Sequence, residues 1–476
     1  MNAQARSGTG PTTLKVVESP QELKLYVKAP KVYPRETAGR FSRLRVSAAW
    51  VLLGLFYLVP WINLGGTQLV LFDLPAREFH ILGMTFWPQD FFMLALLMAM
   101  AGIALFFFTA LAGRLWCGYA CPQTVWTEVF LWMERVTEGS RNQRMRLDQG
   151  PWTGNKIRRK ATKQLLWIVF ALWTGITFVG FFTPIRELVP SMLRMDLGGW
   201  EVFWSLFYGF ATYGNAGYMR EQVCKYMCPY ARFQSAMFDR DSLVISYDAA
   251  RGEPRGKRKK TADPAALGLG DCIECMGCVQ VCPTGIDIRN GLQIECIACA
   301  ACIDVCDQVM DKMGYDRGLI RYTTERALEG GSTRILRPRI FIYLAVLIGL
   351  MTLFSVVFLG RESVHVDVLR DRTALYRTVG DRIENPYALK ITNRTEGVKQ
   401  LLITATGLDG LVVVAPSQAI QVPGGAVSNR PMTLAIDADV IGPGLHEIEI
   451  QILDQHRPEG EPLAVGETRF YVPRTP

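Results

Sequence analysis

The sequence predicts a multi-domain membrane protein with an α-helical bundle of five transmembrane spans, a cytoplasmic bacterial-type ferredoxin domain and a C-terminal all-β immunoglobulin-like sandwich. Hydrophobic residues make up 49% of the 476 residues, and the mean hydropathy is +0.14, because several long runs carry no charge. Eight of the twelve cysteines form two ferredoxin-type motifs. The last quarter of the chain alternates apolar and polar residues between turn signals, which is typical of short strands.

Five apolar runs are long enough to cross a bilayer, since a helical span needs about 20 apolar residues. They cover residues 46–72, 91–113, 164–185, 202–219 and 340–360. The first run is too long for one straight span, so its helix is placed at 46–64. The fourth run is the weakest of the five. A buried core helix is the alternative for any single run, but five charge-bounded runs together favour a membrane bundle.

The loops between these runs predict the orientation of the chain. Residues 1–45 carry nine Lys and Arg and residues 114–163 carry ten, whereas residues 73–90 carry one and residues 186–201 carry two. Because basic loops stay in the cytoplasm, five spans leave the C-terminus in the periplasm. We expect no signal peptide in the polar first 45 residues. The basic run 255–260 is expected to meet lipid head groups, not nucleic acid.

These boundaries divide the chain into seven predicted segments. They are a flexible cytoplasmic leader at 1–45, a four-helix membrane region at 46–249, a basic linker at 250–268, the ferredoxin domain at 269–315, a connector at 316–338, the fifth transmembrane helix at 339–360 and the periplasmic immunoglobulin-like domain at 361–476. The last segment has no cysteine and no tryptophan, so it lacks the hallmarks of antibody domains.

The two ferredoxin motifs are the most specific signal in the chain. They read Cys272-x2-Cys275-x2-Cys278-x3-Cys282-Pro283 and Cys296-x2-Cys299-x2-Cys302-x3-Cys306, and Asp307 stands where a second Pro is usual. In such motifs three cysteines hold one [4Fe–4S] cluster and the fourth binds the other. The first ligand set is therefore Cys272, Cys275, Cys278 and Cys306, and the second ligand set is Cys282, Cys296, Cys299 and Cys302. A structural zinc site fits this spacing poorly. A disulfide framework fits a reducing compartment poorly.

The four remaining cysteines, called the membrane cysteines below, form two Cys-x3-Cys-Pro motifs that each follow an apolar stretch. They are Cys117, Cys121, Cys224 and Cys228. Positions i and i+4 share one helix face, so two pairs are expected to close one four-thiolate site. Such a site suits Cu(I), zinc or iron–sulfur iron, with Met219 and Met227 as soft neighbours. The alternative is that these cysteines are small buried hydrophobes.

The sequence lacks the residues that several classes of redox protein need. The four histidines lie outside every apolar run, which excludes bis-histidine haem in the bundle; they are His80, His365, His446 and His456. The last three are expected to be surface residues, with a periplasmic metal site as the less favoured alternative. The spans carry no acid for a proton relay. No dinucleotide or P-loop motif is present, so electrons are expected from a quinol or a soluble donor.

The chain resembles the FixG/RdxA/CcoG family of accessory proteins for cbb3-type cytochrome oxidase. The resemblance rests on residues 116–126 (WCGYACPQTVW), the paired ferredoxin motifs and residues 312–322 (KMGYDRGLIRY). It covers nearly the whole chain beyond about residue 25. It implies an inner-membrane polyferredoxin of a Gram-negative bacterium that reduces Cu(II) to Cu(I) during oxidase assembly. The resemblance makes the membrane cysteines the copper-handling residues and the eight ferredoxin cysteines an electron relay.

Three functions are compatible with these features. The first is a cupric reductase that hands Cu(I) to a copper chaperone or exporter and to oxidase assembly proteins. The second is a quinol-oxidising electron-transfer subunit that feeds a periplasmic or membrane reductase. The third is a partner-binding scaffold with structural clusters. The immunoglobulin-like domain and residues 312–322 favour the first, while the electron donor and the cluster potentials stay open.

Overall fold

The computed structural model describes residues 31–473 apart from 65, 265, 371–374, 396, 416–418 and 438–440. The α-helices are α1 Arg40–Leu58, α2 Phe91–Ala112, α3 Leu115–Tyr119, α4 Pro122–Glu138, α5 Arg141–Gln149, α6 Gly154–Val179, α7 Ile185–Leu193, α8 Gly199–Thr212, α9 Pro229–Met237, α10 Ala249–Gly252, α11 Gly277–Val281, α12 Ala301–Met313, α13 Glu325–Leu328 and α14 Pro338–Leu359. Two π-helical segments are Tyr213–Met219 and Val223–Met227, and 3-10 turns lie at Val59–Trp61, Pro88–Asp90 and Ile288–Asn290.

Within the described residues, the strands form five sheets. They are β1 Asn63–Leu64, β2 Thr67–Gln68, β3 Val70–Asp73, β4 Glu78–Ile81, β5 Met84–Phe86, β6 Val244–Tyr247, β7 Ile320–Thr323, β8 Val364–Arg370, β9 Arg377–Val379, β10 Arg382–Asn393, β11 Lys399–Thr406, β12 Val412–Ala415, β13 Ile420–Val422, β14 Val427–Asp437, β15 Gly444–Asp454 and β16 Ala464–Val472. The sheets are β1–β2, β3–β4–β5, β6–β7 and two larger sheets in the C-terminal domain.

Four helices in the described part of the chain are long and apolar enough to cross a membrane. They are Arg40–Trp61, Phe91–Ala112, Gly154–Val179 and Pro338–Leu359. This bears out a membrane protein, although two boundaries differ from the prediction. The first span begins at Arg40 instead of residue 46. The third begins at Gly154 instead of residue 164, because the Thr153 side chain caps the helix ahead of the apolar run.

The fourth predicted run has a different structure from the other spans. Residues Gly199–Thr212 form α8, and the chain then continues as the π-helical segment Tyr213–Met219. Helix α8 packs tightly along α6: a Cβ atom on Gly175 would lie 2.2 Å from the carbonyl oxygen of Ser205. Such close backbone approach at small residues is typical of packed membrane helices. The five-span count therefore stays a prediction.

Residues 63–86 form two small sheets where the sequence predicted the end of a span and an external loop. Pro60 lies in the 3-10 turn that ends the first span, and Gly66 has a φ of 95°, which suits a tight turn between β1 and β2. Beyond these sheets, Asp90 forms an ion pair with Arg361 at 2.6 Å. This pair and the contact of Trp87 with Gly425 join the C-terminal domain to the N-terminal end of α2.

The C-terminal domain is a two-sheet sandwich, as the sequence predicted. One sheet has the strand order β12–β14–β10–β8, with β9 paired to β10, and the other has the order β13–β11–β15–β16. Alternate side chains of the long strands fill the core between the sheets; the most buried include Val364, Leu389, Ile391, Leu401, Leu434, Ile450, Ile452 and Phe470. Strand β8 follows the same alternation, with Val364 and Val366 buried in this core.

The cluster-binding region is larger than the predicted segment 269–315. Strand β6 precedes it and strand β7 follows it, and the two pair with Ile245 opposite Tyr322. The predicted linker is packed against this region: Arg258 donates from Nε to the Tyr315 hydroxyl at 3.0 Å, and the Gly256 amide donates to the Cys272 carbonyl at 3.2 Å. This part of the basic run therefore contacts protein, and its contact with lipid head groups stays a prediction.

The predicted flexible leader ends earlier than residue 45. Residues 1–30 lie outside the described part, and the segment 31–39 is bonded to its surroundings. The Tyr33 hydroxyl donates to Asp148 at 2.6 Å, Arg144 donates to the Pro34 carbonyl at 2.8 Å, and the Arg35 amide donates to the Gln280 carbonyl at 2.7 Å. Residues 31–39 of the predicted leader are therefore held by partners on α5 and α11, and α1 begins at Arg40, inside the predicted leader.

Candidate iron–sulfur and membrane-cysteine site

The two ferredoxin motifs adopt the same local backbone. In each motif the residues immediately before and after the second cysteine have positive φ: Glu274 and Met276 at 55° and 57°, and Ala298 and Ala300 at 54° and 59°. This conformation costs about 1–2 kcal/mol per L-residue. It turns amides toward sulfur, as where the Gly277 N–H donates to Cys275 Sγ at 3.5 Å. A bound cluster would offset that cost by accepting these bonds.

Each predicted ligand set lines a small cavity of its own. One cavity is lined by Cys272, Cys275, Cys278 and Cys306, and the other by Cys282, Cys296, Cys299 and Cys302, with Cys278 on the wall of both. All eight are free thiols. Within the described ranges, no three His, Cys, Asp or Glu side chains are close enough for a single ion. The grouping of four cysteines around each cavity fits a [4Fe–4S] cluster, in which each iron takes one thiolate and which accepts and donates single electrons.

Burial of the thiols has a direct chemical consequence. Removal from water raises the pKa of Cys278 to about 11 and the pKa values of Cys296 and Cys306 to about 12. These thiols are therefore neutral without metal at neutral pH. Because iron binds thiolate, cluster loading must release protons from this region.

The continuation of helix α12 past Cys306 explains why the second motif has Asp307 in place of a proline. Helix α12 runs through Cys306 to Met313, whereas α11 ends at Val281, just before Cys282 and Pro283. A proline at 307 would remove a backbone donor from the interior of α12. The Asp307 carboxylate instead accepts the Gly318 amide at 3.0 Å. The substitution thus lengthens the helix and ties it to the strand that closes the domain.

Asp304 joins the cluster-binding region to the first span. It lies between Cys302 and Cys306, and its carboxylate accepts the backbone amides of Phe41 at 3.1 Å and Ser42 at 2.7 Å. These amides belong to the first turn of α1, where helix N–H groups lack partners within the helix. A Cβ on Gly39 would overlap the carboxylate, so this position requires glycine. Asp304 therefore acts as an N-terminal cap supplied by another domain.

We expect Asp304→Ala to lower the free energy of unfolding by about 1–2 kcal/mol, the usual cost of losing a helix cap. The measurement is thermal unfolding followed by cluster absorbance, with proteolysis near residue 40 as a local probe. Asp304→Asn keeps an acceptor oxygen and should lose less. Equal unfolding of the alanine variant and the parent would contradict the capping role.

The membrane cysteines do not lie on continuous helices, contrary to the prediction of an i, i+4 helical pair. Cys117 lies in α3 and Cys224 lies in the second π-helical segment, but Cys121 and Cys228 are N-caps of the following helices, with ψ of 128° and 110°. The reason is the proline after each second cysteine, which disfavours helical backbone at the residue before it. Each motif is therefore a helix break.

The four thiols still gather at one place. Burial, together with the neighbouring thiols of Cys121 and Cys228, raises the pKa of Cys224 to about 11, and burial raises that of Cys117 to about 12. Cys117 donates from Sγ to Gln234 Oε1 at 3.2 Å. The closure of these four thiols on one ion stays a prediction. The expected thioether neighbours, Met219 and Met227, are solvent-exposed.

The first Cys-x3-Cys-Pro motif packs directly on the loop of the second ligand set. A Cβ on Gly118 would lie 2.8 Å from the carbonyl oxygens of both Ile297 and Ala298. Cys117 and Cys224 pack against the apolar cluster that contains Ile297 and Cys299. The membrane cysteines are thus in contact with the loop that presents Cys296 and Cys299, with no intervening element.

Three side chains that sequence reasoning missed hold this contact together. Arg114 Nη1 bonds to the carbonyls of Ile294 and Cys296, the Tyr322 hydroxyl donates to the Ala298 carbonyl at 2.6 Å, and Arg45 Nη1 lies 3.5 Å from the Cys299 carbonyl. Each donor serves a backbone carbonyl that the cluster-binding turn leaves without a regular partner. Arg114 and Tyr322 fall beside or within the stretches that carried the family resemblance, but nothing in the sequence marks Arg45.

Family models match three parts of the chain. Residues 219–325 match a model described as a 4Fe-4S dicluster domain, and residues 92–138 match a 4Fe-4S binding domain. Residues 354–473 match a model described as an IG-like fold at the C-terminal of FixG. The chain is therefore an iron–sulfur protein, with both Cys-x3-Cys-Pro motifs inside matched regions.

Curated relatives match most of the chain. The nitrogen fixation protein FixG of Rhizobium meliloti (strain 1021) is 38% identical over 88% of this chain and 86% of its own length. Protein RdxB and protein RdxA of Cereibacter sphaeroides are 40% and 37% identical, over 87% and 95% of this chain and 89% and 99% of their own lengths. A FixG-related protein from Vibrio parahaemolyticus of known structure is 31% identical, with a TM-score of 0.21 over 23% of this chain and 97% of that one. The chain belongs to the FixG/RdxA/RdxB family of membrane-bound iron–sulfur electron-transfer proteins.

Proposed function

We propose that this protein reduces Cu(II) to Cu(I) at the membrane cysteines, for delivery of copper to a cbb3-type cytochrome oxidase during its assembly. The observation that carries the proposal is the packing of Gly118 against the Ile297 and Ala298 carbonyls. This contact sets Cys117 beside the second ligand set without intervening protein. The clusters supply single electrons, and the membrane cysteines supply the soft ligands that copper needs.

The chemistry of the membrane cysteines suits this reaction. Thiolate sulfur binds Cu(I) in preference to harder ions, so a cysteine pair that holds copper favours the reduced state. Copper binding must displace the thiol protons, because burial raises the pKa of Cys117 and Cys224. The exposed Met227 offers a thioether at the protein surface, from which Cu(I) would pass to a chaperone or exporter.

We place the ferredoxin domain in the cytoplasm and the C-terminal sandwich in the periplasm of an inner-membrane protein. The asymmetry of Lys and Arg between alternate loops supports this orientation. The basic surface near the membrane would then meet anionic lipid, and the sandwich would face the oxidase assembly proteins of the periplasm.

The test is a double variant, Cys117→Ser with Cys121→Ser, purified with its clusters and reduced with dithionite. We expect both clusters to remain visible by electron paramagnetic resonance. Formation of Cu(I), trapped by a Cu(I)-specific chelator, should fall to the level measured with dithionite and no protein. The alternative is that these thiols only fill space, and then copper reduction would survive the change. The matched control is Cys275→Ser, an exposed cysteine that we assign to the first ligand set; it should lose cluster signal while the membrane thiols remain.

A quinol-oxidising electron-transfer role is a second candidate, and it is compatible with the first. The specific observation that favours it is a large cavity beside Cys299, which bears on the source of the electrons.

A further inference from the structure

A cavity of about 610 Å³, called the interface cavity below, lies where the membrane bundle meets the cluster-binding region. Its walls come from the segment before α1, the start of α1, one face of α4, and the loop of the second ligand set. The residues that matter for its chemistry are Arg45, Glu128, Leu131, Trp132, Cys224 and Cys299. Its volume is typical of sites that bind small organic molecules, which range over about 300–1,000 Å³.

One side of the interface cavity is apolar and open. Trp132 and Val136, one turn apart on α4, are 53% and 66% exposed, and Val46 of α1 is 40% exposed; all three line the cavity. Helix α1 belongs to the first span-length helix, and exposed tryptophan is typical of the membrane–water boundary. These three side chains give the interface cavity an apolar opening beside the first span-length helix.

One turn before Trp132 on the same face of α4, the cavity wall carries charge, and the wall continues to a cluster ligand. Glu128 faces two cations, with its oxygens 3.8 Å from Arg45 Nε and 3.6 Å from Arg135 Nη2. Arg45 in turn reaches the Cys299 carbonyl. Thr37 Oγ1 and Arg45 Nε are buried without a hydrogen-bond partner in the structure, so polar groups remain to bind a ligand's head.

We propose that the interface cavity binds a membrane quinol, with its ring at Glu128 and its tail between Trp132 and Val136. A hydrated copper ion needs neither the volume nor the apolar opening. A quinol needs both, together with a base for its protons and an electron acceptor within the wall. Cys299 identifies that acceptor as the iron–sulfur cluster of the second ligand set.

The overall reaction balances as one quinol and two Cu(II) giving one quinone, two Cu(I) and two protons. Each hydroxyl of the quinol loses one proton, and Glu128 is the first acceptor before release to water. The two electrons leave one at a time for the iron–sulfur clusters. This inference names the electron donor and therefore rests on the proposed reductase function for its final acceptor.

Binding can be tested without turnover. The full-length protein in lipid nanodiscs is photolabelled with an azido-decylbenzoquinone, and the labelled peptides are mapped by mass spectrometry. We expect label on α4 near Trp132 or in the first turns of α1, displaced by excess decylubiquinone. Label spread over the lipid-facing sides of α2 and α14, or label that the competitor does not displace, would overturn the site.

Variants then connect the cavity to electron entry. Thr127→Trp fills the cavity, and we expect it to lower the rate of cluster reduction by decylubiquinol at least about tenfold relative to dithionite reduction of the same sample, equivalent to about 1.4 kcal/mol. Glu128→Gln keeps the shape of the cavity, and it replaces Thr127→Trp as the test if that variant loses its clusters. The matched control is Trp50→Ala, because Trp50 is exposed on the same helix as Val46 but does not line the cavity. Trp132→Ala should slow reduction of the clusters by decylubiquinol, and Trp50→Ala should not.

The outcomes separate this inference from the copper function. Quinol binding and cluster reduction without copper reduction would keep the cavity assignment and reject the reductase. Copper reduction with dithionite, combined with no quinol labelling and no quinol-driven cluster reduction, would reject the cavity assignment and keep the reductase.

Discussion

Replacing Glu134 with alanine is expected to lower the free energy of unfolding by about 3–5 kcal/mol, the usual cost of removing one partner from a buried ion pair. Glu134 is fully buried on α4. Its Oε2 accepts from Arg144 at 3.1 Å and from Arg220 at 2.9 Å, and its Oε1 lies 3.9 Å from Lys163. The alanine variant would leave these three largely buried cations without their shared carboxylate.

The same cluster joins elements that are distant in sequence. Arg144 lies on α5, Lys163 on α6 and Arg220 just after the first π-helical segment. The second buried acid, Glu138, lies 2.9 Å from both Lys160 and Lys163. Loss of Glu134 should therefore loosen this end of the bundle as a unit, including the Cys224 segment that follows Arg220.

The measurement is unfolding of the detergent-solubilised protein, compared with a matched exposed acid. Glu329 pairs with Arg240 at the surface, and an exposed pair contributes about 0–1 kcal/mol. Glu329→Ala should therefore change little, and Glu134→Gln should fall between the two alanine variants because it keeps hydrogen bonds but not charge. A Glu134→Ala variant as stable as Glu329→Ala would contradict the role of the buried cluster.

The charge on Glu134 also gives this region a pH dependence of known sign. Burial by itself would raise the pKa of Glu134, but Arg220, Arg144 and Lys163 outweigh it and lower the pKa below its usual value. The stabilisation is therefore present above the unfolded-state pKa of about 4.3 and is lost as pH falls through the folded-state value. We expect the difference in stability between the parent and Glu134→Gln to shrink below about pH 4.3.

A second large effect is expected from Gly118→Ala. The added Cβ would meet two backbone carbonyl oxygens at 2.8 Å, and backbone cannot move aside as a flexible side chain can. Overpacking of this kind costs about 1–3 kcal/mol. Because relief requires the Cys117 motif to move away from Ala298, copper reduction by pre-reduced protein should slow while the cluster spectra persist.

Gly102→Ala is the matched control for this change. Gly102 lies in the α2 span, and a Cβ there would meet no atom within 4 Å. Alanine is favoured over glycine inside a helix by about 0.5–1 kcal/mol. The control should therefore keep or gain stability and keep full copper reduction. Equal behaviour of the two variants would show that the Gly118 contact does not matter for electron transfer.

Much of the architecture could be predicted from local patterns. Apolar runs, alternation and cysteine spacing are short-range features, so they indicated the membrane character, the β-sandwich and the two ligand sets. The errors also have local causes. The helices α1 and α6 begin before their apolar runs because capping and buried ion pairs extend them, and the prolines after Cys121 and Cys228 break the helices that an i, i+4 reading requires.

The sequence by itself determined which cysteines form ferredoxin motifs, because cluster ligation depends on ligand type and spacing along a few residues. Only the tertiary structure decided which ligand set faces the membrane cysteines. That choice depends on Gly118, Asp304 and Arg45 meeting residues more than 170 positions away. Such contacts follow from packing of whole elements, and no local pattern encodes them.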